Sequence, residues 1–150
     1  MSQDNPIRIF VTHCFAPNED YLRVFEFLES SSNFFYRNCS LPDAVPMGGG
    51  SEAFKDELRR QINASEIVLV LASVYAANQD LLVFQLNAAQ ALDKPMVAME
   101  MFGTVAEIPD VIASRVGATA PWNERMMVDI IRREARHEET TRWDVIEFDM

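Results

Sequence analysis

The stretch from Ile67 to Ala72, IVLVLA, is the feature that most narrows the choice of fold. It is β-branched and apolar without alternation, which is how a strand buried on both faces of a parallel sheet reads. Helical periodicity stands on either side of it. Before it, Phe54, Leu58 and Ile62 fall four apart on one face of a helix that opens at Ser51-Glu-Ala-Phe and closes at Ala64-Ser65. After it, residues 78 to 92 read as a helix, and Lys94-Pro95 leads into a further strand at Met96-Val-Ala-Met. Strand, helix and strand at crossover spacing make a βαβ unit, whose strands run parallel.

The flanking segments extend the same pattern. IRIFVT, Ile7 to Thr12, predicts a first strand, and Asn18-Glu-Asp caps a helix over residues 18 to 29 with Val24, Phe25 and Leu28 at helical spacing. NFFYRNCS, Asn33 to Ser40, predicts a second strand, followed by an irregular loop through Pro42, Pro46 and Gly48 to Gly50. Gly117 to Ala120 predicts a short edge strand. Trp122-Asn123 then opens a last helix whose buried side is Met126, Ile130 and Ile131. No linker or repeat divides the chain, so the expectation is one α/β domain over residues 1–150. Its sheet is flavodoxin-like and mostly parallel, with helices on both faces.

A chain of 150 residues with 49% hydrophobic side chains can bury a full core without disulfides or metals. Its two cysteines, Cys14 and Cys39, show no metal-ligand spacing, so no metal is expected. The apolar runs are too short to cross a bilayer, and MSQDNPIRIF lacks the features of a secretory signal; a cytoplasmic chain is expected. Thirteen basic against twenty-three acidic residues repel nucleic acid over most of the surface. Arg132, Arg133 and Arg136, mixed with Glu134, Glu138 and Glu139, read as a solvated helix face.

In sheets of this type ligands bind outside the carboxyl ends of the strands. The segments ending there are His13 to Asn18, Ala72 to Tyr75 and Glu100 to Gly103. His13 and Cys14 are neighbours in the first of these, but no third residue is evident to orient a base against a nucleophile. Gly48 to Gly50 precede a helix yet lack the lysine and spacing of a P-loop, and no GxGxxG follows the first strand. The first strand also lacks the acidic pair that holds Mg²⁺ in receiver domains, since Glu19 and Asp20 lie inside the helix. Gln85 is the polar residue that stands out, because helical geometry sets it among Leu81, Ala88 and Ala89. One reading makes it a half-buried glutamine that bonds a neighbouring loop.

Four segments in order resemble the TIR-like domains of bacterial antiphage defence, including the signal-generating TIR proteins of Thoeris-type systems. They are RIFVTHCFAPNEDY (Arg8 to Tyr21), LRRQINASEIVLVLAS (Leu58 to Ser73), VFQLNAAQALDKPMVAM (Val83 to Met99) and APWNERMMVDII (Ala120 to Ile131). The resemblance implies an enzyme that cleaves the nicotinamide–ribose bond of NAD and releases ADP-ribose or passes it on as a messenger to a separate effector. A phage-derived trigger and a homo-oligomer belong to the same implication. The family's catalytic glutamate falls, by the V-F-x-[IL]-x-x-A match, on Gln85, with Phe84 beside it.

Glutamine keeps the shape of that glutamate and loses its charge, which implies a chain nearly inactive on NAD. Two explanations stand: a substitution in this copy that leaves an inactive, ligand-holding form, which is the favoured one, or a natural non-catalytic TIR-like scaffold. For the ligand, the resemblance and the strand ends together place His13, Cys14 and Phe15 on one wall. Ser40 and Ser73 lie nearby, and Gln85 faces the nicotinamide-side ribose. Phe15 offers a flat surface and Ser73 leaves room, unless both merely pack the loop.

Overall fold

The computed structural model describes residues 2–104 and 106–137. Residues 138–150 of the expected domain, with Glu138 and Glu139, lie outside the described residues. Five strands, β1 (Ile7–Val11), β2 (Tyr36–Asn38), β3 (Ile67–Leu71), β4 (Met96–Met99) and β5 (Ala118–Thr119), form one sheet in the order β2-β1-β3-β4-β5. Every pairing is parallel. This is the flavodoxin-like order, in which β1 lies between β2 and β3 and the loops leaving β1 and β3 diverge.

The helices are α1 (Glu19–Glu29), α2 (Gly50–Ala64), α3 (Ala72–Ala77), α4 (Gln79–Ala91), α5 (Asp110–Ala113) and α6 (Glu124–Arg136). All five residues of β3 are buried, as the unalternating run requires, and they pair with Ile9 to Val11 on one side and with β4 on the other. Leu69 at the sheet centre is 1% exposed, and truncating such a residue to alanine costs about 2–5 kcal/mol. The helix starts predicted at Asn18 and Asn123 are capped, and Asn78 acts in the same way: each accepts, through the side chain, a backbone N–H of the first turn of α1, α6 and α4 respectively.

Four expectations change. The second strand is three residues long, with the Phe35 carbonyl and the Cys39 N–H each adding one bond to β1 at its ends. The segment Ala72-Ser73, read as the end of β3, is the first turn of α3. α2 opens at Gly50, one residue early. On α6 Met126 is 49% exposed, while Met127, Val128, Ile130 and Ile131 are buried. Met126 precedes Met127 by about 100° of helix rotation, which carries it past the edge of that buried arc.

α6 is tied to the opposite ends of the strands. The Arg136 guanidinium grips Glu66 through Nε to Oε1 at 2.7 Å and Nη2 to Oε2 at 2.8 Å. The Arg136 bond, above all, holds the Glu66 carboxyl below its usual range. No helix among the described residues is long and apolar enough to cross a membrane.

Candidate functional site

The loops that leave β1 and β2 are each held by one glutamine side chain. Gln85, on α4, is 0% exposed. Its Oε1 accepts the backbone N–H of His13 at 3.1 Å, and its Nε2 donates to the His13 carbonyl at 2.8 Å and to the Leu81 carbonyl at 3.0 Å. The fixed donor and acceptor of the His13 backbone decide which end of the amide is oxygen. Gln61, on α2, repeats the arrangement on the second loop. Its Oε1 accepts the Leu41 N–H at 2.8 Å, and its Nε2 donates to the Leu41 carbonyl at 3.1 Å and to Glu57 at 2.8 Å.

The His13 ring joins the two clamps. Its Nδ1 accepts the Phe15 N–H at 3.2 Å, so the proton sits on Nε2, which lies 2.9 Å from Gln61 Oε1 and donates to it. Burial lowers the His13 pKa more strongly than its bond to Gln61 and the Glu57 charge raise it. The ring is therefore a neutral tautomer with both nitrogens occupied. Phe15 is bent into the left-handed region at φ 59°, held by that N–H and by edge contacts of its ring with His13 and Phe54. A bulky residue there costs about 1–3 kcal/mol, and such strain gathers where a loop is shaped for a task.

Between the clamped loops lies a cleft of about 540 Å³, a size common among small-molecule sites. Phe15, Pro17, Leu22, Leu41 and Pro42 give it apolar walls, and Leu22 and Leu41 are 60% and 46% exposed at its mouth. Its floor is polar. Asn38 Nδ2 donates to the Tyr21 hydroxyl at 3.1 Å, Tyr21 and Ser40 hydroxyls lie 2.9 Å apart, and the Ser40 hydroxyl bonds Asn38 Oδ1. Taken in that sense, each group donates to the next around a closed ring, an arrangement in which the bonds polarise one another. Ser40 and Tyr21 are buried and Asn38 is exposed, so the second Asn38 N–H is the group of this ring that a ligand meets.

The residues expected at the site divide. Phe15 and Ser40 line the cleft. His13 and Gln85 lie behind its wall, and Gln85 does not face an opening, because its amide is spent on the His13 backbone. Ser73, expected near the same wall, is not among the cleft's lining residues and donates to Asn18 Oδ1 at 3.4 Å. Cys14 is half-buried, and burial pushes its thiol pKa up, against a smaller lowering by the bond with Ala16. Neither His13 nitrogen is free to serve it as a base.

Phe84 belongs to a different hollow, of about 860 Å³, between the first turns of α2 and α4, where the Arg59 guanidinium stands 5.0 Å from its ring centre. That hollow adjoins the cleft through the Phe15–Phe54 ring contact, and a further one of about 750 Å³ lies between the end of α1 and the start of α6. Tyr21, Asn38, Leu41, Asp43 and Gln61 were not singled out by the sequence. Tyr21 and Gln61 carried a signal, since each falls on the apolar face of its helix, three residues from Val24 and from Leu58. Among the described residues, no group of three or more His, Cys, Asp or Glu is placed to hold a metal ion.

No family model and no curated protein matches this chain. A solved structure of a 2-deoxyribosyltransferase from the psychrotolerant bacterium Bacillus psychrosaccharolyticus is similar in fold, with a TM-score of 0.52 and 18% identity. The likeness covers 79% of this chain and 90% of that one. That structure is described as a biocatalyst for the synthesis of nucleosides, and at this identity the likeness shows a shared α/β fold.

Proposed function

We propose that this chain is a TIR-like domain of antiphage defence that holds an NAD-class nucleotide at the carboxyl ends of β1 and β2. The observation that supports it is the cleft itself, with apolar walls for a flat ring and a Tyr21–Ser40–Asn38 floor for ribose hydroxyls. The nucleoside chemistry of the similar structure agrees with that ligand class. Calorimetry with NAD should give saturable binding. No detectable heat, with no protection of the cleft loops from proteolysis, would overturn the reading.

The fate of the bound nucleotide turns on Gln85. When the nicotinamide–ribose bond breaks, nicotinamide leaves with the electron pair and positive charge spreads over C1′ and the ring oxygen, which a carboxylate stabilises. A neutral amide held behind the cleft wall supplies no such charge, so turnover of NAD about two to three orders of magnitude faster in Gln85→Glu requires the loop at His13 to release residue 85 toward the cleft. In that active form the product would be an ADP-ribose-derived messenger read by a separate effector. Nicotinamide release from NAD, with mass spectrometry of the products, measures it.

A second reading, a scaffold without chemistry, has one specific observation in its favour. An amide both accepts from the His13 N–H and donates to the His13 carbonyl, which an ionised carboxylate cannot do, so glutamine suits this backbone better than an ionised glutamate would. No nicotinamide release by Gln85→Glu, together with NAD-independent assembly in light scattering, would decide for the scaffold.

A further inference from the structure

The residues around the cleft carry a charge pattern that bears on which part of a nucleotide enters it. Among the described residues lining it there is no lysine or arginine, and the one charged side chain is the carboxylate of Asp43. The nearest guanidinium on α1, that of Arg23, is engaged elsewhere: it pairs with Asp20 at 3.0 Å and lies 4.0 Å over the Phe102 ring. The start of α1, which borders the cleft at Asn18, is no anion site either. Asn18 already accepts the Tyr21 N–H, and Glu19 and Asp20 place negative charge in the first turn. A net charge of −10 adds to the repulsion of anions.

We infer that the cleft selects the phosphate-free nucleoside end of its ligand, and favours a cationic ring such as that of nicotinamide riboside over a neutral one, with any phosphate left outside in solvent. This rests on the reading that a nucleotide binds here. No cation among the described lining residues compensates a phosphate for its lost hydration, whereas Asp43 attracts a pyridinium and the exposed Asn38 amide meets uncharged hydroxyls. A 5′-phosphate then weakens binding, and the pyrophosphate and adenosine of NAD add little.

Calorimetry of the full chain with nicotinamide riboside, nicotinamide mononucleotide, inosine and NAD tests this. Nicotinamide riboside is expected to bind more tightly than its mononucleotide and than inosine. Asp43 lies in a surface turn, so Asp43→Asn and Asp43→Lys should fold. Asp43→Asn should remove the preference for the cationic ring. Asp43→Lys should shift the riboside-to-mononucleotide ratio by about threefold to tenfold toward the mononucleotide, less in high salt. A mononucleotide that binds the unaltered chain more tightly than the riboside, or a ranking unmoved by both variants, would overturn the inference while leaving a nucleotide site standing. No binding of any of the four would overturn both.

Discussion

The two glutamines show how one side chain can set the position of a loop far away in sequence. Each amide spans a backbone N–H and C=O of the loop residue it holds, as a neighbouring strand would, and the His13 ring makes the two clamps one network. His13 also carries a pH dependence. Burial lowers its pKa from 6.5, so as the pH falls below 6.5 the unfolded chain takes up a proton that the folded one refuses, and stability drops. Urea midpoints measured from about pH 5 to pH 7.5 should rise with pH in the unaltered chain and rise less in His13→Gln. Equal slopes would contradict a buried neutral imidazole. Periodicity in the sequence marks Gln85 and its apolar neighbours, but nothing local marks its partner 72 residues earlier. The reading of a glutamine that bonds a neighbouring loop therefore holds, with the side chain fully rather than half buried, and it is the partner's identity that the distance hides.

At the scale of elements, β3, α4 and the asparagine starts of α1 and α6 were legible because each rests on local chemistry: an apolar run, a period, or a side chain bonding the next turn. Long-range packing set what was not. β2 is cut to three residues at the sheet edge, and α3 takes over directly from β3, where Ala72 and Ser73 continue the apolar, small-residue run without a turn signal. The glycines before α2 have a more definite role than a loop composition conveys. Gly49 is the N-cap residue at φ +89°, and a Cβ there would stand 2.8 Å from the Ala53 Cβ. Gly49→Ala should therefore lower stability by about 1–3 kcal/mol, whereas Gly48→Ala, with nothing within 4 Å, should be near neutral in the same denaturation experiment. α2 carries Gln61, so the start of this helix and the hold on the Leu41 loop are one unit.

For the whole molecule, the parallel sheet and its order were legible in outline, because successive βαβ units leave few other topologies. The site was legible only to the level of the strand ends. The cleft between the loops after β1 and β2 takes Phe15 and Ser40 of the expected residues into its lining, while Ser73 bonds Asn18 outside it. The central claim is that this opening holds a nucleoside. Its most direct test is a titration of ¹⁵N-labelled chain with nicotinamide riboside, monitored by amide chemical shifts. The expected result is saturable shifts concentrated at Phe15, Asn18, Asn38 and the segment from Ser40 to Ala44, with Ser51 and Phe84 unmoved. Shifts centred on the hollow between α2 and α4, or none at saturating ligand, would contradict it.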